Sequence, residues 1–327
     1  MRREESMVPE AEFRSYYGQP VIKAPVWHEP HMPLYLYLGG LSGAASVMSA
    51  MAGLTGHDRL ALTARVTAAT GAAVGAGFLI AELGRPERFL NMLRVFKLTS
   101  PMSVGSWTLA THGGLTAVAA AAAVATLPGS KAAAALPAGI SAVLPAVGDA
   151  AALAAAVTGP LMSTYTAVLV ADTAVPAWHE AHRELPFLFA GSALASAGAI
   201  GMLATPRAQA GPARAVAIVG AAVETVAGEV MERRLGLVGE PYRQGRGGRL
   251  MRAARALTAG GALLATMAGR SRVLTALSGL ALTAGALCTR FGVLEAGRAS
   301  AADPKYTVVP QRRRLDAGEH ASVPARL

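Results

Sequence analysis

Long runs of Ala, Gly, Leu and Val alternate along the chain with short clusters of Arg. A bilayer admits only segments that satisfy their own backbone hydrogen bonds, and about 20 apolar residues in an α-helix cross its hydrocarbon core. The pattern therefore predicts an all-α polytopic membrane protein with eight spans in two four-helix groups. The predicted spans are 33–54, 61–82, 102–126, 148–172, 185–205, 213–231, 252–268 and 273–295.

The segments outside these spans divide the chain further. Residues 1–32 form a polar N-terminal tail without the apolar core of a secretory signal, and residues 296–327 form a basic C-terminal tail. The apolar stretch 132–147 contains Pro137 and Pro145, so it is predicted to be a loop that leads into the fourth span. The bundle itself therefore occupies residues 33–295.

Composition supports a membrane location and indicates an orientation. Of the 327 residues, 53% are hydrophobic and 15% are charged, against about 25% charged in ordinary soluble domains. The mean hydropathy is +0.39 and the net charge is +10. Most of the 30 Lys and Arg residues lie on the side that holds both termini. The positive-inside rule then predicts cytoplasmic termini in the cell membrane, and the basic charge reports topology and contact with anionic lipid rather than nucleic acid.

Cysteine and histidine usage restricts the redox groups that this chain can hold. The single cysteine, Cys288, cannot supply the roughly four ligands of an iron–sulfur cluster. Of the seven histidines, only His112 lies well inside a predicted span, so no two helices offer facing haem ligands. We expect no haem, iron–sulfur cluster or other metal in this chain, and we interpret His112 as a hydrogen-bonded packing residue.

A basic segment, residues 83–101, joins the second and third spans. It interleaves apolar residues with charged ones and is predicted to form an amphipathic helix on the membrane surface. One interpretation is a loop that binds lipid headgroups, and the other is a docking surface for a partner protein. The candidate docking residues are Arg85, Arg88, Arg94 and Lys97.

The predicted topology brings several polar side chains to the same interface as the basic segment. His31 and Tyr35 share a helix face at the start of the first span, and Glu82 ends the second. Tyr165 and Asp172 are seven residues apart near the end of the fourth span, which puts them on one face about 10 Å apart. Ionisable residues inside a membrane are costly and are therefore candidates for function.

Structural interpretations compete with these functional ones. Tyr35 and Trp107 are also typical of the aromatic belt at a membrane interface. Asp172 could simply end its helix, and Glu82 could pair with Arg85 or Arg88.

Glu224 is placed inside the sixth span, where it could either relay protons or pair with an Arg such as Arg290. A secondary transporter or proton-conducting protein built around Glu224, Asp172 and Glu82 is one alternative function. A purely structural anchor is another.

Four segments carry a resemblance to a known family. The first is LGRPERFLNMLRVFKLTSPMSVGSW at 83–107, and the second is WHEPHMPLYLYLGGLSGAAS at 27–46. The third is the Tyr-Thr-containing end of the fourth span with its Pro-Trp loop, at 164–194. The fourth is the Arg-rich exit and Ser-Ala-x-Asp-Pro tail at 290–312. Together they resemble the NrfD/polysulfide-reductase membrane-subunit family, with Ala167 where the family usually has Gly.

The resemblance implies a membrane anchor that reacts with quinone, either menaquinone or ubiquinone, and is not catalytic alone. It implies a ferredoxin-like iron–sulfur partner and, beyond it, a molybdopterin catalytic subunit. Tyr165 matches the family's quinone-associated tyrosine, and His28 or His31 is similar to a family histidine near the first span. The quinone-binding candidates are then Tyr165, His31, Tyr35 and Trp107, and the proton-relay candidates are Glu82, Asp172 and Glu224.

Overall fold

The computed structural model describes residues 21–131 and 137–316. Parts of both predicted tails (1–20 and 317–327) and part of the predicted loop (132–136) lie outside the described residues. Every regular element in the described ranges is a helix. The α-helices are α1 His31–Leu54, α2 Asp58–Glu82, α3 Pro101–Ala125, α4 Ala138–Ala171, α5 Pro176–Glu180, α6 Leu185–Ala204, α7 Gly211–Arg234, α8 Glu240–Arg243, α9 Gly245–Ala268, α10 Arg272–Ala302 and α11 Lys305–Asp316. Two 3₁₀ helices, Pro86–Leu93 and Gly236–Gly239, complete the set.

Each predicted span coincides with a long helix, which confirms an all-α polytopic membrane protein. Within the described ranges, six of these helices (α1, α2, α3, α4, α6 and α10) are long and apolar enough to cross a membrane. The other two, α7 and α9, are less apolar over their length. A total of eight membrane crossings stays a prediction.

The long helices pack as two rings of four. In the first ring α1 contacts α2, α2 contacts α3, α3 contacts α4, and α4 returns to α1. In the second ring α6, α7, α9 and α10 close in the same way, and α1 and α4 join the rings through α6. Close approach of α1 and α4 depends on Gly43 and Gly159, since a side chain on either would meet the other's carbonyl oxygen within 2.5 Å.

One sequence prediction was wrong. The stretch 138–147, expected to be a loop because of its prolines, is the first part of the 34-residue helix α4. Pro137 precedes this helix, while Pro145 and Pro160 lie inside it. The segment is rich in Ala, which favours a helix, and prolines are tolerated in apolar helices that their neighbours support.

His112 ties the first ring together at its centre. Its side chain is fully buried, with Nε2 3.0 Å from the Ser42 hydroxyl of α1. Ser42 donates its own hydrogen to the Ala68 carbonyl of α2, so its oxygen accepts from His112 Nε2–H. The other ring nitrogen, Nδ1, lies 2.8 Å from the Thr158 hydroxyl of α4. His112 is thus a hydrogen-bonded packing residue that links all four helices.

We expect His112→Leu to lower the free energy of unfolding by about 1–2 kcal/mol, because Ser42 and Thr158 each lose an interhelical partner in an apolar setting. Thermal unfolding in mild detergent measures the effect. Thr67→Val is the matched control, since among the described residues the Thr67 hydroxyl bonds within its own helix, to the Thr63 carbonyl. If the two substitutions destabilise the protein equally, His112 does not stabilise the bundle through its interhelical hydrogen bonds.

Trp178 of α5 packs against both Trp27, which precedes α1, and the helix α10. This side chain is buried, stacks on Trp27 with ring centroids 5.2 Å apart, and donates its indole N–H to the Val293 carbonyl at 2.7 Å. Gly297 makes room for the indole, because a Cβ there would overlap its ring. The short helix α5 and the turn from α4 are therefore fixed against α10.

Candidate functional site

A cleft of about 630 Å³ opens between the start of α3 and the end of α4. We call it the α3–α4 cleft. Its walls are mainly apolar and also include one tyrosine, one carboxylate and two histidines. The lining residues are Leu98, Thr99, Pro101, Val104, Leu161, Thr164, Tyr165, Val168, Ala171, Asp172, His179 and His182.

Local sequence signals explain why the helices end at this cleft. Ser100 caps α3 by accepting a hydrogen bond from the Ser103 N–H, and Pro101 occupies the first turn. The helix α4 ends at Asp172, and Val175 is extended ahead of Pro176, as residues before proline prefer. The resulting short turn brings α5 back over the end of α4.

Tyr165 is the one tyrosine in the lining of the cleft. Its ring rests in a notch left by Gly105 of α3, where a Cβ would come within 2.4 Å of the ring. The side chain is 5% exposed, and its hydroxyl has no hydrogen-bond partner among the described residues. A buried hydroxyl without a partner costs about 1–3 kcal/mol, which makes Tyr165 a candidate for a hydrogen bond to water or to a group bound in the cleft.

Asp172, His179 and His182 line the cleft together. His179 Nδ1 lies 3.1 Å from the Ala171 carbonyl, and His182 Nδ1 lies 3.0 Å from the His179 carbonyl. A carbonyl cannot donate, so each Nδ1 carries the hydrogen and each Nε2 is left to accept a proton or a hydrogen bond. Sequence reasoning missed both histidines as site residues, because it considered them only as haem ligands and placed them in a loop.

A second polar cluster forms around Glu82. The carboxylate accepts a hydrogen bond from the His28 backbone N–H at 2.8 Å, and His28 Nδ1 lies 3.3 Å from the same oxygen. His31 Nδ1 lies 3.6 Å from the other oxygen. His31 and Glu82, which were predicted only to lie near the same interface, are therefore neighbours in the structure. The described contacts of Glu82 are to histidines, and none is to Arg85 or Arg88.

Tyr35 and Trp107 lie outside the lining of the cleft. Tyr35 is a core residue, 2% exposed, in the same apolar cluster as Tyr165. Trp107 is 38% exposed and packs edge-to-face on Phe96, with centroids 6.1 Å apart. Tyr35 is too buried for an interfacial belt, whereas the setting of Trp107 matches an anchor for the basic segment.

Glu224 lies apart from the cleft, inside the second ring. Its carboxylate accepts hydrogen bonds from Thr289 at 2.6 Å and Thr258 at 3.4 Å. Arg290 is also buried; it donates to the Phe189 carbonyl and packs over the Phe189 ring. No ion pair joins Glu224 and Arg290 in the described ranges, so the predicted direct pairing is not observed.

The basic segment is less regular than predicted. Its helical part is the 3₁₀ helix Pro86–Leu93, which follows a turn at Gly84 with φ +66°, and none of its residues is buried. The Ser103 hydroxyl holds the rest of the segment against α3: it accepts from the Lys97 N–H and donates to the Val95 carbonyl. Leu98 and Thr99 of this segment also line the cleft.

A second cleft, of about 420 Å³, lies at the opposite ends of the first-ring helices. Arg65 and Asp149 form an ion pair in its wall at 2.6 Å. Beneath it, Ser49 and Arg65 line a void of about 10 Å³, and each has a buried polar atom without a partner among the described residues. Sequence reasoning missed this pair, because it placed Asp149 at the edge of a span and paired it with nothing.

The described residues contain no group of three or more His, Cys, Asp or Glu that could hold a metal ion. In comparisons with known proteins, the model of a family described as "Polysulphide reductase, NrfD" matches residues 19–231. This range covers well over half of the chain and includes both polar clusters and the cleft. No curated protein matches the chain.

Proposed function

The chain belongs to the NrfD family of polysulphide reductase membrane subunits, and we propose that it is the quinone-reactive anchor of a molybdopterin oxidoreductase complex. In this proposal an iron–sulfur subunit docks on the basic segment and exchanges electrons with quinone in the α3–α4 cleft. The molybdopterin subunit binds to that iron–sulfur partner. The single observation that carries the proposal is an apolar cleft lined by Tyr165, whose buried hydroxyl has no partner among the described residues.

Quinone chemistry matches the groups that line this cleft. A quinone headgroup has two carbonyl oxygens that need hydrogen-bond donors, and its isoprenoid tail needs an apolar slot. Tyr165 donates to one carbonyl, and the Nε2 of His179 or His182 donates to the other when that ring is protonated. Reduction adds two electrons, supplied by the iron–sulfur partner, and two protons, which this chain delivers to the carbonyl oxygens. Oxidation of quinol is the same exchange in reverse.

Proton delivery is assigned to the polar groups nearest the cleft. Asp172 and His179 line it and are also exposed, so they exchange protons between solvent and the headgroup. The cluster of Glu82 with His28 and His31 is a second relay at the interface. Tyr35 and Trp107, which do not line the cleft, support its surroundings instead.

Partner docking is assigned to Arg85, Arg88, Arg94 and Lys97, which are exposed along the basic segment. Leu98 and Thr99 of the same segment line the cleft. An iron–sulfur cluster in a partner docked on the basic segment is therefore separated from quinone by little more than this segment. We propose that this side and both termini face the cytoplasm, following the positive-inside rule.

We expect the double substitution Arg88→Glu and Arg94→Glu to lower recovery of the iron–sulfur subunit by at least about 10-fold, since like charges facing each other across an interface cost several kcal/mol. Co-purification of partners with the tagged chain, followed by mass spectrometry, measures the recovery. Arg59→Glu, on the opposite side of the bundle, is the control. If recovery is unchanged while binding to anionic vesicles falls, the basic segment contacts lipid and the docking assignment is wrong.

A proton-conducting function is the second candidate. The Arg65–Asp149 cleft with its polar void, and the buried Glu224 beside a void of about 20 Å³, favour it. Proton uptake by proteoliposomes without any partner or quinone tests this candidate, with Glu224→Gln and Asp149→Asn as the variants. If proton uptake is lost in these two variants but is unchanged by Tyr165→Phe, the proton-conducting function is favoured over the quinone proposal.

A further inference from the structure

A groove of about 510 Å³, separate from the two clefts described above, runs along the outer face of the protein between α6 and α7. Its walls are almost wholly apolar and include Phe187 of α6 and Val223, Val226 and Val230 of α7. Phe187 and Val226 are more than 60% exposed. Of the two carboxylates of α7 inside its predicted span, Glu224 is buried and Glu229 is paired with Arg233, and neither lines the groove. The outer surface of α7 is therefore suited to hydrocarbon along the length of the groove.

The end of the groove nearest the basic segment's side carries a charge that the protein does not neutralise. Glu184 at this end is held by Arg234 through two hydrogen bonds of 2.5 and 2.6 Å, which makes a neutral pair. Arg233 is likewise paired with Glu229. Arg183 borders the groove next to this pair, is exposed, and has no hydrogen bond or ion pair with any described residue.

We propose that this groove binds an anionic phospholipid, with one acyl chain against the valines of α7 and the phosphate on Arg183. An apolar slot that ends at an uncompensated guanidinium at the membrane surface has the chemistry of that ligand, since basic pockets between helices bind anionic headgroups. A quinone would fill the slot but carries no anion for Arg183. A zwitterionic lipid also carries a cationic group, and Arg183 offers that group no attraction.

The site is tested with the full-length chain, delipidated in mild detergent, by its thermal stabilisation with added phosphatidylglycerol or phosphatidylethanolamine of the same acyl chains. We expect phosphatidylglycerol to bind more tightly, and Arg183→Gln to reduce that preference by about five-fold. Arg249→Gln is the matched control, because Arg249 is also exposed on this side but does not border the groove. Ala222→Phe, which fills the groove, is expected to weaken both lipids.

Three outcomes would overturn the proposal. The first is equal stabilisation of the wild-type chain by the two lipids. The second is an equal effect of Arg183→Gln and Arg249→Gln, which would mean diffuse attraction to the basic side. The third is a co-purifying membrane polypeptide that Ala222→Phe releases, which would make the groove a protein interface. None of these outcomes depends on quinone chemistry, because the readout is lipid binding alone.

Discussion

Replacing Tyr165 with Phe is expected to lower quinone turnover by about 100-fold in the assembled complex. The change removes one hydroxyl and leaves the ring in its notch against Gly105. That hydroxyl has no partner among the described residues, so its loss costs no protein contact that holds the fold. Quinone reduction by the purified complex, with partner recovery and thermal stability measured on the same preparation, tests the prediction.

Tyr37→Phe is the matched control for this substitution. Tyr37 is a buried tyrosine of α1 that lies in the other apolar cluster and not in the cleft. We expect it to leave turnover near the wild-type value. If Tyr165→Phe does the same, the hydroxyl does not touch quinone, and a structural anchor or a proton-conducting protein becomes the better interpretation.

Much of the architecture could be predicted because it follows from one local property. Continuous apolar tracts dictate helices of membrane length, and the charges between them indicate which ends share a side. This reasoning put His31 and Glu82 at one interface, and the structure brings them within 3.6 Å. It also put Tyr165 and Asp172 on one helix face, and both line the same cleft.

The remainder could not be predicted because it depends on turns and on packing between distant helices. His179 reaches the cleft only because the chain folds back over the end of α4 at Pro176, which no periodicity reports. Asp149 meets Arg65 from a helix 84 residues along the chain. Pro145 was read as a helix breaker, although a long apolar helix with packed neighbours accommodates it.

Gly297→Ala is expected to lower the free energy of unfolding by about 3 kcal/mol, the largest stability effect that we predict for a single methyl group. The new Cβ would overlap the Trp178 indole, which is buried and hydrogen-bonded to the Val293 carbonyl. The indole cannot move without giving up its stacking on Trp27. Because Trp178 fixes α5, and His179 follows it directly, quinone turnover should fall together with thermal stability.

Two further variants show whether the loss of stability in Gly297→Ala comes from contact with Trp178 or from adding any methyl group to a helix. Gly260→Ala in α9 adds the same methyl group where no described atom beyond the local helix backbone lies within 4 Å, so it should be neutral or stabilising by up to about 1 kcal/mol. Trp178→Leu removes the obstructing ring and itself lowers the free energy of unfolding. In that background Gly297→Ala should lower it little further, because the two residues interact directly. Additive losses in the double variant would mean that the new methyl group acts somewhere other than against Trp178.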